Sequence, residues 1–305
     1  VLDRALYPAA ARIEPALSGA LAHARSAEAS AAQNNLAEVK ARLRRAIDGL
    51  EFAYALMVYG NVGNPIDTPE FFVRQHYVDF LDREPDEAGL AFWAAQIAPC
   101  GANPRCLEGA RVNVSAAFFL SIEFQKTGYL VHRLYKAVHG RAPFLREFGA
   151  ESQEVAGGVI VGQAGWEPAL EANTRAYFER FVAREEFRAR YAGMTNAQFV
   201  SALTSNAGVW LPADEHQAIV AELNATGSRA VALRKVVESN TLSAREKNPA
   251  FVEMQYFGYM RRDFDQLGFD FWLQKLVNHN GDHVSAQMVK SFLDSGEYRG
   301  RFTQP

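Results

Sequence analysis

The feature that most constrains this chain is a stretch that it carries twice. Phe72-Val73, Tyr77, Arg83, Asp86, Gly89 and Phe92-Trp93 return without a gap 179 residues later as Phe251-Val252, Tyr256, Arg262, Asp265, Gly268 and Phe271-Trp272. Further on, Val114-Ser115-Ala116 returns as Val284-Ser285-Ala286, and Ser121-Ile122-Glu123-Phe124 as Ser295-Gly296-Glu297-Tyr298. The spacing grows by about one helical turn between these last two matches, so the second copy is expected to have an extra turn before its ending. A duplication of this kind implies a chain built from like modules, each burying its apolar face against a neighbour.

The grammar of the module is helical. Thr68-Pro69-Glu70 supplies a capping hydroxyl, a Pro at the first helical position and an acid in the first turn. Phe72, His76/Tyr77 and Phe80/Leu81 then form a buried face. Asp82-Arg83-Glu84-Pro85 breaks the helix, and Asp86 is placed to cap the next one, Glu87 to Ile97. Both copies are therefore expected to be helix–turn–helix units, with Trp93 and Trp272 largely buried.

Ahead of the first copy, two helices form a hairpin. Pro15 falls in a first turn with Ile13, Leu17 and Leu21 around it, and a polar stretch from Ser26 to Ser30 leads to the second helix. There Leu36, Leu43, Leu50 and Met57 recur every seven residues with Val39, Ile47 and Tyr54 beside them, and Gly60 ends the run. The first helix is rich in alanine and offers this stripe few large partners. The stripe therefore needs either the body of the chain or a second subunit to cover it.

Residues 129–247 are helical in period but less regular. Arg184-Glu185-Glu186-Phe187 and Phe199-Val200 read as degenerate fragments of the module. Val159-Ile160-Val161 is the one short strand candidate. The expectation is an all-α protein in four parts. They are a hairpin (1–63), a first module (64–128), an irregular helical middle (129–247) and a second module (248–305).

Charge and cysteine usage narrow the class of role. A net charge of −3 provides no global field to draw nucleic acid or anionic lipid, and Lys40, Arg42, Arg44 and Arg45 read as a solvated helix face. No apolar run reaches the roughly 20 residues that span a bilayer. Cys100 and Cys106 bracket Gly-Ala-Asn-Pro-Arg with no other cysteine in the chain, which suggests a small disulfide loop in an oxidising compartment. The start, Val1-Leu2-Asp3-Arg4, lacks the regions of a signal peptide, so the chain is read as either cytosolic or already processed.

From Arg83 through Trp93, and again at Ser121 to Phe124, the sequence resembles the bacterial family catalogued as domain of unknown function 4214. That family is marked by Gly-Arg at a helix end, then an Asp, a Gly and a Trp in order, closed by Ser-x-Glu-Phe. Asp82 and Arg261 stand here where the family has its usual Gly, and Phe264 stands where the first copy has Pro85. The resemblance implies a helical fold similar to phycobilisome linker domains, in a secreted or surface-associated bacterial protein, with no catalytic residues to carry over. It favours an extracellular or cell-surface location for a mature chain.

Several residues invite a chemical reading and have a plainer one beside it. Asp82, Glu84, Asp86 and Glu87 alternate acids as a calcium loop does, but Trp93 stands where the closing acid is needed, and capping explains both copies. His279 and His283 have metal-pair spacing but flank the turn signal Asn280-Gly281-Asp282. The stretch from Gly157 to Gly165 lacks the Gly-Lys-Ser/Thr of a phosphate loop and reads as a connector. Phe92, Trp93, Phe271 and Trp272 could line a sugar platform, but on helices such rings more often belong to the core. No nucleophile elbow or zinc-protease helix occurs. No catalytic, cofactor-binding or metal-ligating residue is therefore assigned, and Arg83, Asp86, Gly89 and Trp93 with Arg262, Asp265, Gly268 and Trp272 read as structural. The expectation is a non-enzymatic extracytoplasmic structural or assembly protein that forms homo-oligomers or joins other surface proteins. A module binding surface carbohydrate or another ligand is the alternative.

Overall fold

The computed structural model describes residues 10–32, 36–60 and 63–303. Among the described residues the chain is helical with no strand. The hairpin is α1 (Ala10–Ala32) against α2 (Leu36–Tyr59). Here α1 starts earlier and ends later than its sequence signals suggest: Pro15 lies inside it, and Ser26 to Ser30 are helical. Alanine-rich composition accounts for that, since alanine is the strongest helix former. Gly60, at φ 78° with its N–H on the Leu56 carbonyl, closes α2.

After the hairpin one succession of elements recurs four times among the described residues, including twice in the region expected to be irregular. The first copy is α3 (Pro69–Leu81), α4 (Glu87–Ile97), α5 (Pro104–Leu120) and α6 (Ile122–Lys126). The second is α7 (Gly128–His139), α8 (Leu145–Ala156), α9 (Trp166–Ala183) and α10 (Glu185–Arg190). The third is α11 (Asn196–Asn206), α12 (Ala213–Thr226), α13 (Arg229–Glu238) and the start of α14 (Asn240–Gln255). The fourth shares α14, which runs on as a π-helical turn (Tyr256–Met260), and adds α15 (Gln266–Asn278), α16 (Met288–Leu293) and α17 (Gly296–Gly300).

Two backbone signatures align the copies. Each first helix is followed by a residue in the left-handed region: Asp82 (φ 51°), Gly140 (φ 70°), Gly208 (φ 63°) and Arg261 (φ 49°). Each third helix breaks at one extended residue: Ser121 (ψ 147°), Arg184 (ψ 139°), Ser239 (ψ 144°) and Ser295 (ψ 143°). At each break the N–H reaches back three residues, to the carbonyls of Phe118 (3.3 Å), Phe181 (3.2 Å), Val236 (3.3 Å) and Phe292 (3.2 Å). Each break residue's own carbonyl then accepts the first bond of the next helix, at 3.0 Å in every case. The three serines also cap that helix with the side chain.

The four extra residues before the last break are not another regular turn. Gln287 adopts φ 51° and α16 starts only at Met288, where the first copy has the unbroken α5. The stretch from Gly157 to Gly165 is turns rather than strand, with Gly158, Gly162 and Gly165 at positive φ and Val159 buried.

The described residues gather into two compact units. One takes residues up to Val78, Arg83–Ser115 and the segment from Gln287; the other takes Asp79–Asp82 and Ala116–Ala286. In the first, Phe71 meets Tyr59 and Phe302 edge-on (ring centroids 5.7 and 5.5 Å), and Tyr298 meets Phe302. Buried Arg301 reaches Asp48 (3.8 Å) and Glu51 (3.5 Å), which ties the end of the fourth copy to the hairpin. In the second, the mostly buried α7 is packed by α8, α11, α13 and α14. Tyr191 donates to the Val138 carbonyl there (2.9 Å), and Phe119 stacks edge-on with Phe251 (4.4 Å).

Candidate functional site

The duplicated motif builds a turn. Asp86 accepts the Gly89 N–H (2.9 Å) and Asp265 accepts the Gly268 N–H (2.8 Å), each capping the second helix of its copy. Both arginines lie over tyrosine rings: Arg83 on Tyr77 (4.8 Å) and Arg262 on Tyr256 (5.3 Å). In both copies the arginine N–H also reaches the tyrosine carbonyl at 3.4 Å. Each glycine lies beneath a tyrosine hydroxyl, so that a Cβ on Gly89 or Gly268 would overlap Tyr77 or Tyr256. Arg, Asp and Gly are needed because one ring, one cap and one close approach coincide. The second copy keeps part of this cage, with Arg141 over Tyr135 (5.4 Å). The third replaces the pair with Leu203 and buried Val209.

These side chains serve the turn. Asp82, the other acid of the alternating series, has its carboxyl pushed up by burial, and the nearby Gln153 and Arg261 only partly offset that. His279 ends α15, and Asn280 (φ 53°) and Gly281 (φ 79°) then turn the chain before His283 packs edge-on against Phe251 (5.4 Å). The two imidazoles therefore share no helical face. Among the described residues no group of three or more His, Cys, Asp or Glu side chains is arranged to hold a metal. Cys100 and Cys106 are bonded, with Cα atoms 5.4 Å apart.

The tryptophans do not sit where the sequence suggests. Trp93 and Trp272 are half-buried, and their neighbours Phe92 and Phe271 are 57% and 59% exposed. The reason is local: α4 buries Ala94 and Ile97, and α15 buries Leu276, so the aromatic face points outward. In both copies the two rings meet edge-on, at 4.9 and 5.0 Å. The inner copies have Ala150-Glu151 and Ala218-Ile219 at these positions, counted from the left-handed residue.

Among the described residues, a run of exposed apolar side chains lies on the hairpin. Its helices meet through Ala16, Ala20, Ala27, Ala46 and Ala53, with Ile13, Phe52 and Leu56 buried beside them. A Cβ on Gly49 would lie 3.2 Å from the Ala20 Cβ. That seam leaves the heptad side chains outside. Leu17, Leu21, Leu43, Ile47, Leu50, Met57 and Val58 are between 36% and 55% exposed. Leu17 and Leu21 follow the buried line of α1 by the same rotation that Leu43, Ile47, Leu50 and Met57 follow that of α2. In an antiparallel pair this places both sets on one face. Tyr54 leaves the stripe, its ring covered by Arg74 (4.1 Å), and the Leu36 side chain lies outside the described residues.

Two further features have internal partners. A cavity of ≈ 230 Å³ in the first unit has a floor of Ile66, Phe72, Leu107 and Tyr298. Its rim is self-neutralised: Lys290 pairs with Glu108, while Arg111 (3.2 Å) and Arg299 (2.9 Å) pair with Asp67. Burial would raise the Asp67 carboxyl, but Arg299 and Arg111 hold it below the usual range. In the second unit the buried His132 imidazole lies between Glu253 (2.6 Å) and Glu246 (3.0 Å). Burial opposes its charge, but those carboxylates prevail and raise its pKa; burial likewise raises Glu253.

Taken together, the folded residues define an all-helical protein of tandem modules with exposed apolar faces. Residues 59–129 match the family model described as Domain of unknown function (DUF4214), so the resemblance holds over the first copy. No curated protein and no solved structure matches the chain.

Proposed function

We propose that this chain is a non-enzymatic structural protein that works outside the cytoplasm by assembling through its apolar faces. The observation that carries the reading is the hairpin face of seven half-exposed large apolar residues. Burying such a side chain fully is worth about 1.5–3 kcal/mol, so the exposed halves hold roughly 5–10 kcal/mol per face. Association costs about 4–15 kcal/mol, so two such faces together can drive it. The Cys100–Cys106 bond supports an oxidising compartment. The first copy matches a family whose model names no function, and the motif resemblance, which implies secreted or surface proteins, points the same way. Antibody labelling of unpermeabilised source cells, with light scattering of the extracted protein, tests this. Surface label and a mass above that of one chain are expected; a cytoplasmic protein that stays monomeric refutes it.

A second reading rests on the outer copies. Their Phe92–Trp93 and Phe271–Trp272 pairs suit stacking against a sugar ring or another planar ligand. Tryptophan fluorescence titrated with surface polysaccharides separates the readings: saturable quenching lost in Phe92→Ala and Phe271→Ala supports ligand binding.

A further inference from the structure

Resting on the assembly reading, we infer that the occupant of the hairpin face is the same face of a second copy, laid antiparallel about a two-fold axis as a four-helix bundle. Three observations lead there. First, the face is self-complementary in extent. Its apolar residues on α2 run from Leu43 to Met57 and centre on Leu50. Gly49 packs on Ala16 and Ala20, so Leu17 and Leu21 flank the same level on α1. A two-fold axis through that level covers every exposed residue of one stripe with the other. A face related to itself by such an axis closes after two copies.

Second, two such faces meet the energetic requirement with a larger margin than one against a polar surface, because the apolar area removed from water doubles. The long side chains left outside the hairpin core can interdigitate as knobs into the facing holes. The exposed residues fall four, three and seven apart at Leu43, Ile47, Leu50 and Met57, which is the spacing that such packing requires.

Third, charge selects the direction. The loop end of the hairpin carries Arg25, Lys40, Arg42, Arg44 and Arg45 against Glu28 and Glu38. Arg42 pairs with Glu38 at 2.5 Å, and cationic side chains outnumber acidic ones five to two at this end. A parallel arrangement lays two cationic ends on each other. The antiparallel one, with its axis at Leu50, separates Arg42 from its counterpart by about 24 Å along the bundle, twice eight residues at 1.5 Å per residue. That is about three Debye lengths at physiological salt.

The test uses the full oxidised chain. Size-exclusion with light scattering is run on the wild type and on Ile47→Glu/Leu50→Glu, both positions exposed enough to accept the charge without unfolding. The wild type is expected to dimerise, and the double variant to weaken the dimer by at least about 100-fold while keeping the helical circular dichroism of the wild type. Orientation is read with a bismaleimide: Leu43→Cys and Met57→Cys chains should cross-link in a mixture and neither with itself. Association that survives the double substitution overturns this inference and leaves the assembly reading standing. Self-linking of Leu43→Cys overturns the antiparallel bundle. A monomeric wild type, whether free in solution or bound through this face to anionic vesicles, overturns both.

Discussion

Replacing Gly89 by alanine tests the physical reason for the repeated motif. Alanine is normally the better helix residue, by about 1 kcal/mol in a helix interior. Gly109, in α5 with open space around it, should show that gain on becoming alanine. Gly89 sits in the first turn of α4, and its new Cβ would overlap the Tyr77 hydroxyl and lie 3.1 Å from the Asp86 carboxylate. Tyr77 is buried and has Arg83 over its ring, so it cannot swing aside without loosening the turn. Overpacking of this kind costs about 1–3 kcal/mol. The net expectation is a loss of about 1–2 kcal/mol for Gly89→Ala against a gain for Gly109→Ala. Urea titration followed by circular dichroism measures both, with Tyr77→Phe and Tyr77→Phe/Gly89→Ala completing a double-mutant cycle. Removing the hydroxyl should recover much of the Gly89→Ala loss. If Gly89→Ala stabilises as Gly109→Ala does, the close approach is not what requires glycine there.

Other positions give opposite signs for the same chemistry. Asp82→Gly should stabilise by about 0.5–1 kcal/mol, since it relieves a left-handed non-glycine residue and a poorly solvated carboxylate. Arg261→Gly at the equivalent turn should instead cost about 3 kcal/mol, because it strips buried Asp79 of a guanidinium at 2.9 Å; urea midpoints read both. His132 and Glu253 both hold protons more tightly when folded. Their stabilisation is complete below the ordinary values of 4.5 for Glu253 and 6.5 for His132, and is lost as pH rises through the elevated folded values. Melts between pH 5 and 9 should fall with rising pH, and His132→Gln should flatten the slope. Reducing Cys100–Cys106 should add two mass units and, for so short a loop, cost about 2 kcal/mol by denaturant titration.

The sequence exposes the outer copies because Arg83, Asp86 and Gly89 answer to one geometry that only those residue types satisfy, and so do their counterparts. The family's glycine before the arginine has a matching reason, because Asp82 and Arg261 occupy a left-handed backbone that glycine adopts freely. The second copy also left a trace: Tyr135, Arg141 and Pro143 repeat the spacing of Tyr77, Arg83 and Pro85. Its cap residue is Phe144 and its glycine position holds Glu147, so too few identities remain in that register to stand out. The third copy keeps only backbone, since Gly208 and Ser239 do what Asp82 and Ser121 do while Leu203 and Val209 replace the Tyr–Arg pair. Periodicity misleads at the hairpin. A heptad of leucines usually marks the buried line, but here Ala46, Ala53 and Leu56, with Phe52, take that place. The same limit applies to Phe92–Trp93 and Phe271–Trp272, where hydrophobicity alone does not say which side of α4 or α15 faces the core.

Sedimentation equilibrium of the intact, oxidised protein from about 1 to 100 µM, where a dissociation constant of 1 µM corresponds to about −8 kcal/mol, reads association through the hairpin face. The mass is expected to climb with concentration from 33.8 kDa toward twice that value. A mass that stays at 33.8 kDa across the whole range contradicts it.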